Sequence, residues 1–269
     1  MKQKVSDYIA EYIAQWGIRD VFTVTGGGAM HMNDAFGHHK MLHCTYQHHE
    51  QACAMAAEAY ARLGNKMAAV CVTTGPGATN AITGVLGAWM DSIPMLVFSG
   101  QARYATTVSA SGLPLRSMGV QECNIVPVVK SLTKYAHMIV HPENIRYHLE
   151  KALYLAVNGR PGPVWLDIPL DVQGAVIETD DLKAYDPEEN PEQQPREIKD
   201  ETVEQILDKL QESKRPVLSP GNGVRLAGAH EDFYQLAELL GVPVVTGMSS
   251  VDAIESDHPL FVGRSGGTG

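Results

Sequence analysis

Apolar residues in this chain fall in short dense runs, separated by stretches whose apolar positions recur at helical spacing. The runs Val21–Thr25, Leu42–Gln47, Ala68–Thr73, Met95–Ser99 and Val164–Ile168 predict strands. Between them, 3–17, 29–37, 48–63, 78–90, 123–130 and 142–158 predict helices. Alternation of this kind implies parallel strands joined by right-handed helical crossovers, hence a doubly wound α/β sheet. Near-continuous apolar strands such as PMLVFS fit a sheet covered on both faces.

The pattern breaks after Asp171. Residues 1–173 read as one domain, and 174–200 as a linker with Pro187, Pro191, Pro195 and many charges. A partial second α/β domain occupies 201–269: a helix at Glu201–Ser213, a strand at Pro216–Ser219, a helix at Gly228–Leu240 and a strand at Val242–Thr246. Two such repeats are too few to bury an independent core, so apolar surface is expected to stay exposed there.

Charge changes this picture little. The net charge is −10, but Glu178 to Glu204 holds eleven Asp/Glu against three Lys/Arg, so −8 of it sits in the linker and the first residues after it. No basic patch suggests nucleic acid, and no apolar run nears the ~20 residues of a membrane helix. The amphipathic N-terminus is not a secretory signal, so a cytoplasmic location is expected. Cys44, Cys53, Cys71 and Cys123 lack paired spacing and read as reduced structural thiols. His38, His39, His43, His48 and His49 cluster without zinc-site spacing, so no metal is assigned to them.

Candidate chemistry centres on Glu50, at the seam between a strand and a helix rich in small residues (Ala52, Ala54, Ala56, Ala57, Ala59). On residue type alone it is an ordinary acidic first-turn residue. The turn Thr74-Gly75-Pro76-Gly77 ends a strand and opens a helix, and lacks the Lys-Ser/Thr pair of a P-loop.

The combination of His49-Glu50, AMAAEAYAR, TTGPGATN, MDSIPMLVFSGQ and GRPGPVWLDIP resembles the N-terminal, pyrimidine-binding domain of thiamine diphosphate (ThDP) enzymes, of the acetolactate synthase-like group. The resemblance implies that Glu50 exchanges a proton with the cofactor's aminopyrimidine ring, a task suited to a carboxyl in an apolar pocket. It places Thr74, Gly75, Pro76 and Asn80 at the pyrimidine and Gly26, Gly27 and Gly28 on the loop facing the reacting end. Gln121 matches the family's FQE and is assigned beside cofactor and substrate; Gln101 and Arg116 are substrate candidates, Arg116 by carboxylate pairing. Gly26 departs from the family, whose PGGA here is GGGA, and Val120 replaces a phenylalanine.

The GDG and NN sequences by which the family holds diphosphate and Mg²⁺ are absent, so those ligands are expected in a domain outside this chain. The resemblance implies a homodimer or tetramer. Residues 201–269 resemble the start of the central domain, which holds FAD in acetolactate synthases; departures at Gly221-Asn222-Gly223, 246–250 and 266–269 leave FAD open. The implied function is decarboxylation and carboligation of a 2-oxo acid. The alternatives are a lyase or hydrolase acting on a diketone or sugar-derived substrate, or a half-subunit whose partner carries the Mg²⁺-diphosphate domain.

Overall fold

The computed structural model describes residues 1–194 and 197–266. The chain forms two compact units, Met1–Gln194 and Pro195–Gly269. In the first unit β1 (Lys2–Lys4), α1 (Val5–Trp16), β2 (Asp20–Thr23), α2 (Met30–His38), β3 (His43–Tyr46), α3 (Glu50–Gly64) and β4 (Ala69–Val72) follow one another. Then come α4 (Pro76–Asn80), α5 (Ile82–Met90), β5 (Met95–Gln101), α6 (Val108–Ser111), α7 (Ile125–Val129) and β6 (Tyr135–Met138). The unit closes with α8 (Ile145–Val157), β7 (Pro163–Pro169), α9 (Leu170–Gly174) and β8 (Val176–Glu178).

Six strands make a parallel sheet in the order β3-β2-β4-β5-β7-β6. Every residue of β5 and of β7 is buried, as two-sided helical cover requires. One helical layer presents larger apolar side chains: α1 buries Val5, Ile9 and Ile13, and α8 buries Ile145, Leu149 and Leu153. Elsewhere the buried face of α3 is Cys53, Ala54, Ala57 and Ala61. These small residues let α5 come close, for a Cβ added at Gly84 would lie 2.6 Å from that of Ala54.

The α/β class and the parallel sheet agree with the sequence pattern; several details differ. Helix 78–90 is divided, because the chain turns at Ala81 between α4 and α5. β6 escaped the pattern because an edge strand is only half-buried, and Tyr-Ala-His-Met is not an apolar run. The stretch read as a linker from 174 mostly belongs to the first unit. There β8 pairs antiparallel with β1, and Ile177, Leu182 and Tyr185 are buried. Its apolar residues are few, yet those few enter the core while the charges face water. Pro195 lies outside the described residues.

In the second unit α10 (Asp200–Glu212), α11 (Gly223–Leu226), α12 (His230–Leu240), β9 (Val244–Thr246) and β10 (Phe261–Arg264) surround a small core of Ala237, Val244 and Ile254. The strand expected at Pro216–Ser219 makes a single parallel bridge, Leu218 to Val244, and the parallel partner of β9 is instead β10. Val203, Ile206 and Leu207 of α10 are exposed.

At the far edge of the sheet, His137 of β6 stacks on His148 of α8 with ring centroids 3.9 Å apart. The Tyr135 hydroxyl lies 2.6 Å from His148 Nδ1. Burial first, then His137 and Lys151, push His148 down to about 4 from 6.5. The unfolded chain therefore takes up this proton near its ordinary pKa while the native state refuses it until about pH 4. The stability due to neutral His148 is complete above the unfolded value and is lost as pH falls from there toward about 4. Thermal melts across that window should show the wild-type midpoint falling relative to that of His148→Gln as the pH is lowered, a difference that isolates His148 from carboxyl groups titrating over the same range.

Candidate functional site

The chain runs from β2 outward to β3, then crosses back over β2 to β4. The winding direction reverses at this point, and the crevice beyond the carboxyl ends of β2 and β4 is where such sheets bind ligands. The loops that follow these two strands are 24–28 and 73–77, those singled out in the sequence.

Glu50 opens α3 just after β3 and is half-buried. Its Oε2 accepts a hydrogen bond of 2.7 Å from Nδ2 of Asn80, at the end of α4, and the same amide lies 3.4 Å from His49 Nε2. A Cβ added at Gly77 would lie 3.3 Å from Glu50 Oε1 and 2.7 Å from Thr73 Cγ2. Glycine at 77 thus leaves the second carboxylate oxygen uncovered.

The two loops interlock through Thr73. Its Oγ1 accepts the backbone N–H of Gly28 at 3.0 Å, and its side chain fills the place a Cβ on Gly26 would take. Gly26 has extended backbone (φ −167°), which the proline ring, fixed near φ ≈ −65°, does not reach. Its N–H donates to Asn33 Oδ1 at 3.3 Å. Gly27 is exposed, with open space around it. Pro76, the first residue of α4, is also exposed.

Gly75 meets the third segment of the site. It adopts φ +58°, ψ −115°, a conformation open to glycine, and an added Cβ would overlap the carbonyl oxygen of Gln121. Gln121 is itself left-handed at φ 56°, a strained value for a residue with a side chain. The preceding loop is folded around Glu122, whose carboxylate accepts from the backbone N–H groups of Val108 (2.7 Å), Met118 (2.8 Å) and Gly119 (2.9 Å). Burial pulls Glu122 upward, but those three donors outweigh it and leave the group below the ordinary range.

Two expected substrate residues sit differently. Gln101 is 1 % exposed, and its amide is used internally by Thr74, Ala102, Cys123 and Asp167. It lies beneath the loops and offers nothing to a substrate, because its polar atoms are already engaged. Arg116 is exposed and makes no ion pair among the described residues. The structure thus joins Glu50 to Asn80 and Gly77, Gly28 to Thr73, Gly75 to Gln121, and Thr74 to Gln101, and leaves Arg116 and Gly27 apart.

Thr73, Glu122 and Asp167 were not singled out in the sequence. Asp167 carried a signal: a carboxylate within the apolar strand Val-Trp-Leu-Asp-Ile must find donors once buried. Among the described residues no three His, Cys, Asp or Glu side chains are grouped to hold a metal ion. His38, His39 and His43 pair instead with Asp34, Glu11 and Asp20. No described helix is long and apolar enough to cross a membrane.

A parallel α/β unit with a helix-opening glutamate and glycine turns at its switch point defines a class, and residues 3–117 match the thiamine pyrophosphate enzyme N-terminal TPP binding domain. Residues 203–269 match the central domain of the same enzymes. The chain belongs to the thiamine pyrophosphate enzyme family. It is 35% identical over 265 residues to acetolactate synthase 2, chloroplastic, of Zea mays, covering 96% of this chain and 39% of the relative. It is 32% identical over 262 residues to the acetolactate synthase large subunit of Lactococcus lactis, covering 97% of this chain and 44% of the relative. The chain thus spans about two fifths of the length of these curated relatives.

The contacts at the glycines separate two substitutions. Gly75→Ala should cost about 1–3 kcal/mol, because it forces a side chain into a strained conformation and against Gln121. Gly27→Ala, with open space around it, should shift stability by under about 0.5 kcal/mol. Urea denaturation midpoints of the two variants measure the difference.

Proposed function

We propose that this chain is the pyrimidine-holding part, with the start of the central domain, of a ThDP-dependent enzyme that decarboxylates a 2-oxo acid and passes on its acyl group. The observation that carries the reading is the carboxylate of Glu50, steadied by Asn80 at the mouth of the switch-point crevice. The residues suit the cofactor's aminopyrimidine: Gly77 keeps Oε1 clear, and Gly75 lets the turn lie flat against Gln121. Thr74, Gly75, Pro76 and Asn80 would line the ring, with Gly26, Gly27 and Gly28 beyond its reacting end.

When bound, ThDP supplies a nucleophilic carbon and an electron sink. Glu50 takes up and returns a proton at Oε1, the oxygen that Asn80 leaves free. Asn80 holds the carboxylate in one rotamer, so its proton is delivered along a fixed line. Gln121, poised by its left-handed backbone, presents its side chain beside the same turn. Arg116 would meet a substrate carboxylate from its exposed loop. Diphosphate and Mg²⁺ would be held by a domain outside this chain, in a homodimer or tetramer, so the chain alone would be inactive. FAD would sit at the loops after Leu218 and β9, which Ser250 ties together by donating to Pro220 O at 2.7 Å.

A second reading concerns the substrate. Gly26, where the pattern of the resemblance has proline, is extended and packed on Thr73. This different loop favours a non-pyruvate substrate, such as a diketone or sugar-derived compound, over a housekeeping acetolactate synthase.

In the full-length protein supplied with ThDP, Mg²⁺ and pyruvate, Glu50→Gln should lower kcat by about 10²–10⁴-fold. Circular dichroism should remain unchanged. Retained turnover would remove Glu50 from the chemistry; turnover only with other 2-oxo compounds would select the second reading.

A further inference from the structure

Asp167 stands within β7, 0% exposed, with no cation against it among the described residues. Its two hydrogen-bond donors, Ser99 and Gln101, are oriented by neighbours of fixed role: an indole N–H, a backbone N–H and a backbone carbonyl. Trp165 Nε1–H only donates, and it gives its proton to Ser99 Oγ at 2.8 Å. The Ser99 hydroxyl therefore donates onward, to Asp167 Oδ1 at 2.6 Å.

On the other side the Gln101 amide is oriented by the backbone. Ala102 N–H donates to its Oε1 at 3.0 Å, and the Cys123 carbonyl accepts from its Nε2 at 2.7 Å. The second N–H of Nε2 is left for Asp167 Oδ2, at 3.0 Å. Thr74 Oγ1 donates to the same Oε1 at 2.7 Å. Both oxygens of Asp167 thus face donors, and this arrangement fits the carboxylate and not the acid.

We infer that Asp167, acting through Gln101, is a positioning residue that holds the Thr74–Gly77 turn and the Gln121–Cys123 segment together while it is ionised. Gln101 touches both: Thr74 through its carbonyl and Cys123 through its amide nitrogen. These are the two segments that meet where Gly75 packs on Gln121. A proton on Oδ1 faces the hydroxyl hydrogen of Ser99, whose oxygen Trp165 already engages, and a proton on Oδ2 faces the amide N–H of Gln101 unless that amide turns over. That turn sets N–H₂ against the Ala102 N–H and carbonyl against the Cys123 carbonyl, so neither orientation of the amide fits and it is displaced from its seat between Thr74 and Cys123. The assignment of these segments to the cofactor rests on the function proposed above.

Burial raises Asp167 to about 7, against the pull of Ser99 and Gln101, so the switch lies in a range that experiments reach. The groups around it are Ser99 and Gln101 of β5, Trp165 of its own strand, the Met138–Ile139 backbone beside β7 and the Cys123 thiol. Of these only Cys123 titrates; burial, then Asp167 and Glu122, hold its thiol above the ordinary value, so it stays neutral.

The test is hydrogen exchange of the full-length, cofactor-free protein at about pH 6 and about pH 8, corrected for intrinsic chemistry, alongside Asp167→Asn and Gln101→Ala. In the wild type, residues 73–77 and 119–123 should exchange about tenfold faster at the lower pH, as for one lost hydrogen bond of ordinary net strength. α1 should not change. Asp167→Asn should abolish the pH dependence, and Gln101→Ala should fix both segments in the fast state at either pH.

Equal protection at both pH values in the wild type would overturn the inference, and so would two segments that respond independently. ThDP affinity of the same proteins separates the two readings. If exchange responds and affinity does not, the relay stands and the cofactor assignment fails. If affinity responds and exchange does not, the relay fails.

Discussion

The candidate site depends on backbone packed directly against backbone, where a strand order that reverses at β2 brings two loops side by side. Gly75 lies on the carbonyl of Gln121, and Gly26 on the side chain of Thr73. A single methyl group at either place would force the loops apart. The carboxylate of Glu50 gains its surroundings from this closeness, because Asn80 and Gly77 belong to the turn that the packing fixes. The small residues on α3 extend the same economy of volume to the helix that carries Glu50.

A second layer of polar contacts supports this packing from below. Ser99, Gln101 and Asp167 are buried on β5 and β7, and their hydrogen bonds run between neighbouring strands to the loops above. Burying a carboxylate without a cation is costly. Here donors already fixed by an indole and a backbone amide offset part of the cost, and burial still raises Asp167 to about 7.

Much of the arrangement was legible in the chain. The all-apolar runs of β5 and β7 identified the central strands, and the seam before α3 marked Glu50. What escaped has a common cause: a residue's position in the fold outweighed its local pattern. β6 is an edge strand with a histidine in it, so its periodicity is weak. Ile177, Leu182 and Tyr185 are isolated among acidic residues, and only the tertiary fold shows that they reach the core. Gln101 was a substrate candidate by resemblance, yet its side chain turns inward to Asp167. Glu122 carried no sign of the three backbone donors it gathers, since loop geometry is not written in spacing.

The pairing of β1 with β8 has a mechanical meaning. Because the strands are antiparallel, with Lys2 opposite Glu178, the polypeptide enters and leaves this ladder at the same end. Tension between the segment before Lys2 and the segment after Glu178 loads the rungs one at a time, so the ladder opens like a zip. The parallel strands of the main sheet would be loaded together, as in shear. The two ladders of the first unit therefore differ in how they resist tension, one giving way rung by rung and the other only as a whole.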